Sequence, residues 1–189
     1  SSAREVLIVL KRLKLTNFTV FADAAFEFAS GLNVIVGENG TGKSQLLKVP
    51  YCVMATSREE GRKPHVGLPT KAALQTKFAE KLVGVLRPEA IGRLTRRRQG
   101  VVRAKIECQF ADHRHDVSMH FTTKSKSEVV VDRVPKVWQD KSPVYLPTRE
   151  LLTIYPNFVS LYDSHYLDFE ETWRDTCVLL GAPAVRGVR

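Results

Sequence analysis

Hydrophobic and polar positions alternate at the start of the chain and again in its middle. In "EVLIVLKRLKLTNFTVFADAAFEF", Leu13 and Leu15 stand between polar neighbours, and Phe26 and Phe28 repeat the pattern. Spacing of two puts alternate side chains on one face, which predicts two strands, with a turn expected near Ala22 to Ala25. "GLNVIV", residues 31–36, is nearly all apolar and reads as a short strand buried on both faces of a mixed or parallel sheet. A helix is expected from about Lys43 to Met54. Residues 57–70, "SREEGRKPHVGLPT", mix glycine, proline and charge, and predict a surface loop. Beyond it, Leu74, Phe78, Leu82 and Val85 are spaced for one helix face, with Thr70 as N-cap and Pro88 just past the end.

From Gly100 the spacing returns to two. "VVRAKIECQF", "HDVSMHFTT" and "SEVVVDRV" each alternate, separated by the polar turns "ADHR" and "KSK", and predict a three-stranded antiparallel meander. "PVYLP" reads as one more buried strand, and residues 148–165 as short helices broken at Pro156. A last helix is expected in "DFEETWRDTCVLLGAP", with Asp168 and Glu171 as a capping box and Gly181 and Pro183 as its stop. One unit over 1–189 is therefore expected. Its parts are 1–56 (strands, a glycine-rich loop and a helix), 57–100 (loop and helical insertion), 101–147 (antiparallel strands) and 148–189 (a helical segment).

Composition narrows the classes. The 189 residues, 43% hydrophobic and 26% charged, are those of a soluble globular chain with a sizeable core. Apolar runs such as Val6 to Leu10 are too short to cross a bilayer, and no signal peptide is visible, so no membrane partner is expected. Cys52, Cys108 and Cys177 are odd in number and far apart, which argues against a disulfide framework and a zinc site. They read as small buried hydrophobes in a reducing cytoplasm. The net charge of +9, concentrated between Arg87 and Lys105, calls for an anionic partner. His113 and His115 fall at a predicted turn and read as exposed turn residues rather than metal ligands.

The chemistry is sharpest at Gly37-Glu38-Asn39-Gly40-Thr41-Gly42-Lys43-Ser44, which fills every fixed position of G-x-x-x-x-G-K-[ST]. Glycines let successive N–H groups point inward as an anion nest, and the helix that starts there adds its free N–H groups and positive dipole end. Lys43 would reach the β- and γ-phosphates, and the Ser44 hydroxyl would ligate magnesium. Gln45 follows directly and is expected at the same site.

The loop and the strand before it resemble the N-terminal half of an ABC-type head ATPase, the P-loop NTPase class of SMC, RecF and OLD-like "AAA family" proteins. The resemblance rests on Asn17, Phe18 and Phe21 at the end of the opening strand. It rests equally on Gly31, Asn33, Ile35, Gly37, Asn39, Gly40, Gly42, Lys43 and Ser44. It implies an α/β lobe, a mixed sheet around the P-loop helix plus an antiparallel meander and peripheral helices. It also implies that Asn17 and Phe18 lie near the adenine and α-phosphate, that the nucleotide is ATP with Mg2+, and that the head acts as a homodimer or with a complementary lobe. "VYLPTRE" is similar to the Q-loop region of small bacterial members, but has no glutamine there, leaving Thr148, Arg149 and Glu150 as weak substitutes.

Other parts of the pattern are missing. No Leu-Ser-Gly-Gly sequence occurs. "FVSLYD" and "VVVDR" end in Asp163 and Asp132, but the first reads as a helix and the second as part of the meander, so neither reads as a Walker B strand. His120 and His165 have no motif around them. The chain is expected to be one lobe of a head, whether a fragment, a truncated gene product or one piece of a split protein. It is expected to bind Mg-ATP with little turnover. The alternative is a DNA-binding, DNA-repair or anti-phage defence module using the basic cluster 93–105, with Arg93, Arg96, Arg97, Arg98, Arg103 and Lys105.

Overall fold

Alternation becomes sheet where both neighbours of a strand are supplied. In the computed structural model, which describes residues 9–147, 158–164 and 169–181, Leu10–Phe18 (β1) lies between Phe21–Glu27 (β2) and Arg103–Phe110 (β3). Val117–Thr122 (β4) and Val130–Arg133 (β5) extend the sheet in the order β2-β1-β3-β4-β5, every pair antiparallel. The register stacks Ala24, Leu15, Ile106, Met119 and Val131 in one row across all five strands. Leu15, Ile106, Met119 and Val131 are fully buried. The opposite face carries Lys14, Thr16, Lys105, Glu107 and His120, as strict alternation requires.

The expected turn at Ala22 to Ala25 is instead the interior of β2. The hairpin closes at Thr19-Val20, with Phe18 opposite Phe21. Asn17 and Thr19 both take left-handed backbone, φ 48° and 46°. Each such residue costs on the order of 1 kcal/mol or more unless its surroundings hold it. Here Thr19 N donates to Leu94 O at 2.8 Å, and Arg96 N to Asn17 O at 2.7 Å.

The helix after the glycine loop, Lys43–Gly61 (α1), runs past Met54 and through Pro50, taking residues expected in the following loop. Packing explains the extension. Ser57 is buried and its Oγ accepts from Gln139 N at 3.1 Å. Gly61 lies so close to Trp138 that a Cβ there would sit 2.6 Å from that side chain. Lys71–Leu86 (α2) starts at its expected cap, Thr70, whose hydroxyl accepts from Ala73 N at 3.2 Å. Leu74, Phe78, Leu82 and Val85 are buried as their spacing predicts. A buried Lys81 ammonium meets Glu59 at 2.7 Å, pinning α2 to α1.

Two expected buried strands are corrected. Residues 31–36 pair with no strand among the described residues, and Leu32, Val34 and Val36 are 89%, 74% and 85% exposed. β1 already has partners on both edges. Asn33 folds the chain locally, its side chain accepting from Ala29 N and donating to Ala29 O and Gly31 O at 2.9–3.0 Å. The described strands therefore make a purely antiparallel sheet, not the mixed sheet expected around the P-loop helix. In "PVYLP", Val144 and Leu146 are exposed and outside any strand.

The described residues fall into two compact units, one within 1–143 and one within 144–189. The second holds Phe158–Ser164 (α3) and Glu171–Gly181 (α4). Phe158 and Cys177 are buried there, with Tyr162, Phe169 and Trp173 ringing Phe158 at centroid distances of 5.3–6.3 Å. "FVSLYD" is thus helical, as expected. Thr148, Arg149, Glu150, Pro156, His165, Asp168 and Pro183 lie outside the described residues. No helix of the described residues is long and apolar enough to cross a membrane.

Candidate phosphate-binding loop

The glycine loop enters α1 without a side-chain cap. Gly42 is the N-cap at φ 94°, no side chain bonds the first-turn N–H groups, and the first turn has no acid. The free amides and the positive end of the dipole are thus left for an external anion. Gly40 also takes left-handed backbone, φ 80°, beside Asn39 in the turn. The Thr41 hydroxyl donates to Glu38 O at 2.9 Å, closing the loop on itself. Lys43 Nζ bends back to donate to Gly37 O at 2.7 Å and Glu38 O at 2.5 Å, which places its cation over the loop. Ser44 follows, exposed, in the first turn. The chemistry of this loop suits a phosphate chain: curled glycines, uncapped amides, one cation held over the loop and one exposed hydroxyl.

Around the cradle the strand residues divide in a way their spacing hides. Phe18 is fully buried and packs edge-on against Phe121 at 6.3 Å, so its ring belongs to the core and not to the loop. Asn17 Nδ2 donates to Arg103 O at 3.2 Å, committing that side chain to β3. What reaches the loop is the next stretch. Thr19 Oγ1 donates to Gln45 Oε1, and a Cβ on Gly42 would lie 2.7 Å from Val20 and Phe21. The hairpin tip is a buttress against the start of α1, and Gly42 is small because of it. Nothing in the motif spacing names Thr19; only its position directly after Asn17-Phe18 could have.

The basic cluster also divides. Arg103 and Lys105 lie on β3, with Lys105 paired to Glu107 at 2.9 Å. Arg93, Arg96 and Arg97 line a cleft of about 480 Å³ together with Thr19, Val20 and Thr95. An Arg96 guanidinium N–H donates to Val20 O, so the hairpin tip lies between the cleft and the glycine loop. Arg98 is exposed and outside the cleft lining.

The remaining candidates are engaged elsewhere. Asp132 Oδ1 and Oδ2 both lie 2.9 Å from His120 Nδ1 across β4 and β5. Asp163 holds Arg174 at 2.8 Å. His113 is exposed, but His115 is buried against Phe110, which corrects the exposed reading for that residue. No group of His, Cys, Asp or Glu among the described residues is arranged to hold a metal ion. All three cysteines are buried and none is in a disulfide. Burial, with Asp116 adding to it, pushes the Cys108 thiol up to about 12. Asp112 is drawn down to about 2, chiefly by the Arg114 side chain bonded to it.

Residues 12–66 match the family model described as an AAA domain. Over 66 residues, 34% of this chain, it is 42% identical to a DNA replication and repair protein RecF of Pediococcus pentosaceus, covering 18% of that protein. Over 42 residues, 22% of this chain, it is 45% identical to a DNA double-strand break repair Rad50 ATPase of Archaeoglobus fulgidus, covering 5% of it. A solved SMC ATPase chain is 16% identical over 93% of each chain with a TM-score of 0.39, a level below that of matching folds. The chain thus spans a small part of the curated relatives it matches. The resemblance to SMC/RecF-like ABC-type ATPase heads stands, carried by the opening third of the chain.

Proposed function

We propose that this chain, whose AAA-type stretch it shares with RecF and Rad50 proteins, binds Mg-ATP at residues 37–45. The observation that carries the reading is the uncapped start of α1, with the Lys43 ammonium folded over the glycine loop that precedes it. In this reading the N–H groups of Glu38 to Ser44 cradle the phosphates, and Lys43 exchanges its two carbonyl contacts for the terminal phosphates. Ser44 supplies a magnesium ligand, and the metal would neutralise phosphate charge. Gln45 holds the hairpin tip in place through Thr19. Asn17 acts on the loop through the backbone it shapes.

Turnover needs an acid to orient water and groups that complete the γ-phosphate shell. Asp132 and Asp163 are each bonded to a basic side chain instead. The reading is therefore binding with little hydrolysis by this chain alone, the site being completed by a second copy or a complementary ATPase lobe. Its three reduced, buried cysteines suit the cytoplasm.

A titration of the purified chain with a fluorescent ATP analogue and magnesium tests this. Wild type should bind saturably, and Lys43→Ala should weaken binding at least about tenfold, the loss of one charge-assisted phosphate contact, without shifting the melting temperature. Equal binding by the variant would overturn the assignment. Steady phosphate release that Lys43→Ala abolishes would overturn the low-turnover part only.

A second reading is favoured by the cleft of Arg93, Arg96 and Arg97. The curated relatives are DNA replication and repair proteins by name, and an arginine-rich surface suits a phosphate backbone.

A further inference from the structure

We propose that the cleft lined by Thr19, Val20, Arg93, Thr95, Arg96 and Arg97 is a second phosphate-group site, distinct from the glycine loop. It rests on the nucleic-acid reading just given and specifies what that reading binds, and where.

Three observations build the site. The first is an unanswered donor. Thr95 is only 4% exposed, lines the cleft, and its Oγ1 has no hydrogen-bond partner. A buried hydroxyl left so is destabilising, and a ligand oxygen that reached it from the cleft would offset the cost. The second is the cation set. Arg96 uses one guanidinium N–H on Val20 O, Arg93 is shared with an exposed Glu89 at 3.1 Å, and Arg97 has no acidic partner among the described residues. Guanidinium forks match tetrahedral phosphate oxygens and keep their charge at any working pH.

The third observation is a rigid frame. Thr95 bridges to Phe18, Thr95 N donates to Gly92 O at 3.2 Å, and Gly92 N donates to Ser125 O at 3.0 Å. A Cβ on Gly92 would meet three backbone carbonyls within 2.9 Å, so the turn carrying Thr95 and Arg96 is held against the β4–β5 connection. The lining includes no aromatic ring to stack a base. What this chemistry recognises is therefore a phosphate group, from a nucleic-acid backbone or from a small free phosphate.

Fluorescence polarisation with a labelled DNA duplex of about 20 base pairs, at 50 and 200 mM salt, reads the first source. With three arginines on phosphates, affinity should fall roughly 40-fold between those salts, a slope of about −0.9 per contact. Arg97→Gln should lower the slope by about one. Thr95→Val should weaken binding several-fold while the melting temperature holds or rises, because the variant removes an unsatisfied buried hydroxyl. A merely structural Thr95 would show no such split. Inorganic pyrophosphate added in the Lys43→Ala background reads the second source. Protection of the wild-type cleft by pyrophosphate, lost in Thr95→Val, without duplex binding would assign a small phosphate ligand. Unchanged binding of both probes in Thr95→Val and Arg97→Gln overturns the proposal and leaves the glycine-loop reading untouched. Loss of nucleotide binding in Lys43→Ala with duplex binding retained shows the two sites to be separate.

Discussion

Gly42 and Gly40 both hold left-handed backbone, yet they sit in different surroundings. A Cβ on Gly42 would lie 2.7 Å from Val20 and Phe21, whereas nothing lies within 4 Å of one on Gly40. Gly40→Ala is thus expected to cost only the backbone penalty, about 1–2 kcal/mol. Gly42→Ala should cost clearly more, because the hairpin tip must move, and should also weaken nucleotide binding. Denaturant midpoints of the two variants compare them directly; equal costs would sink the buttress argument. Cys108 makes a second prediction at this scale. Its thiol is pushed up to about 12 by burial, while the unfolded thiol ionises near its ordinary value of 9.0. Between those values the unfolded chain holds fewer protons, so the contribution to stability is full below 9 and is lost as pH rises toward 12. Cys108→Ala should flatten that alkaline loss in a series of melts, and the native thiol should resist iodoacetamide at pH 8.

Among the elements, α2 was legible in full: its apolar spacing, its cap and its stop all lie within a few residues of one another. Thr70→Ala should therefore cost about 1 kcal/mol, read by thermal or denaturant unfolding. The meander was equally legible because each strand buries one face, which leaves a clean alternation. Failures came where distant packing overrode local preference. Helix α1 crosses Pro50 and continues to Gly61 because Trp138 and Gln139, some eighty positions on, cover its end. Residues 31–36 read as a buried strand because composition records apolarity and not neighbours. Trp138 Nε1 donates to Gly67 O at 2.6 Å, so Trp138→Ala should destabilise the end of α1 and the loop after it together. Hydrogen exchange in residues 55–67 would show the loss.

For the molecule as a whole, the sequence marked out the glycine loop but not what stands behind it. A contiguous motif such as residues 37–44 records local chemistry, whereas the Thr19–Gln45 link and the arginine cleft join residues 26 to 78 positions apart. Leu32, Val34 and Val36 form an exposed apolar stretch, a surface that favours association. Val34→Lys should lower the apparent mass in light scattering if that stretch joins copies of the chain; an unchanged mass would exclude it. The same stretch belongs to a span that leaves β2 at Glu27 and returns at Gly42, where the hairpin tip meets it. Asn33 gathers its near end and Gly42 is pressed on Val20 at its far end, so the span is anchored at both sides. An exposed Glu38 lies between those anchors. A single cut there by a glutamate-specific protease would leave a nicked protein whose two pieces travel as one through gel filtration, parting only in denaturant, with nucleotide shielding the cut.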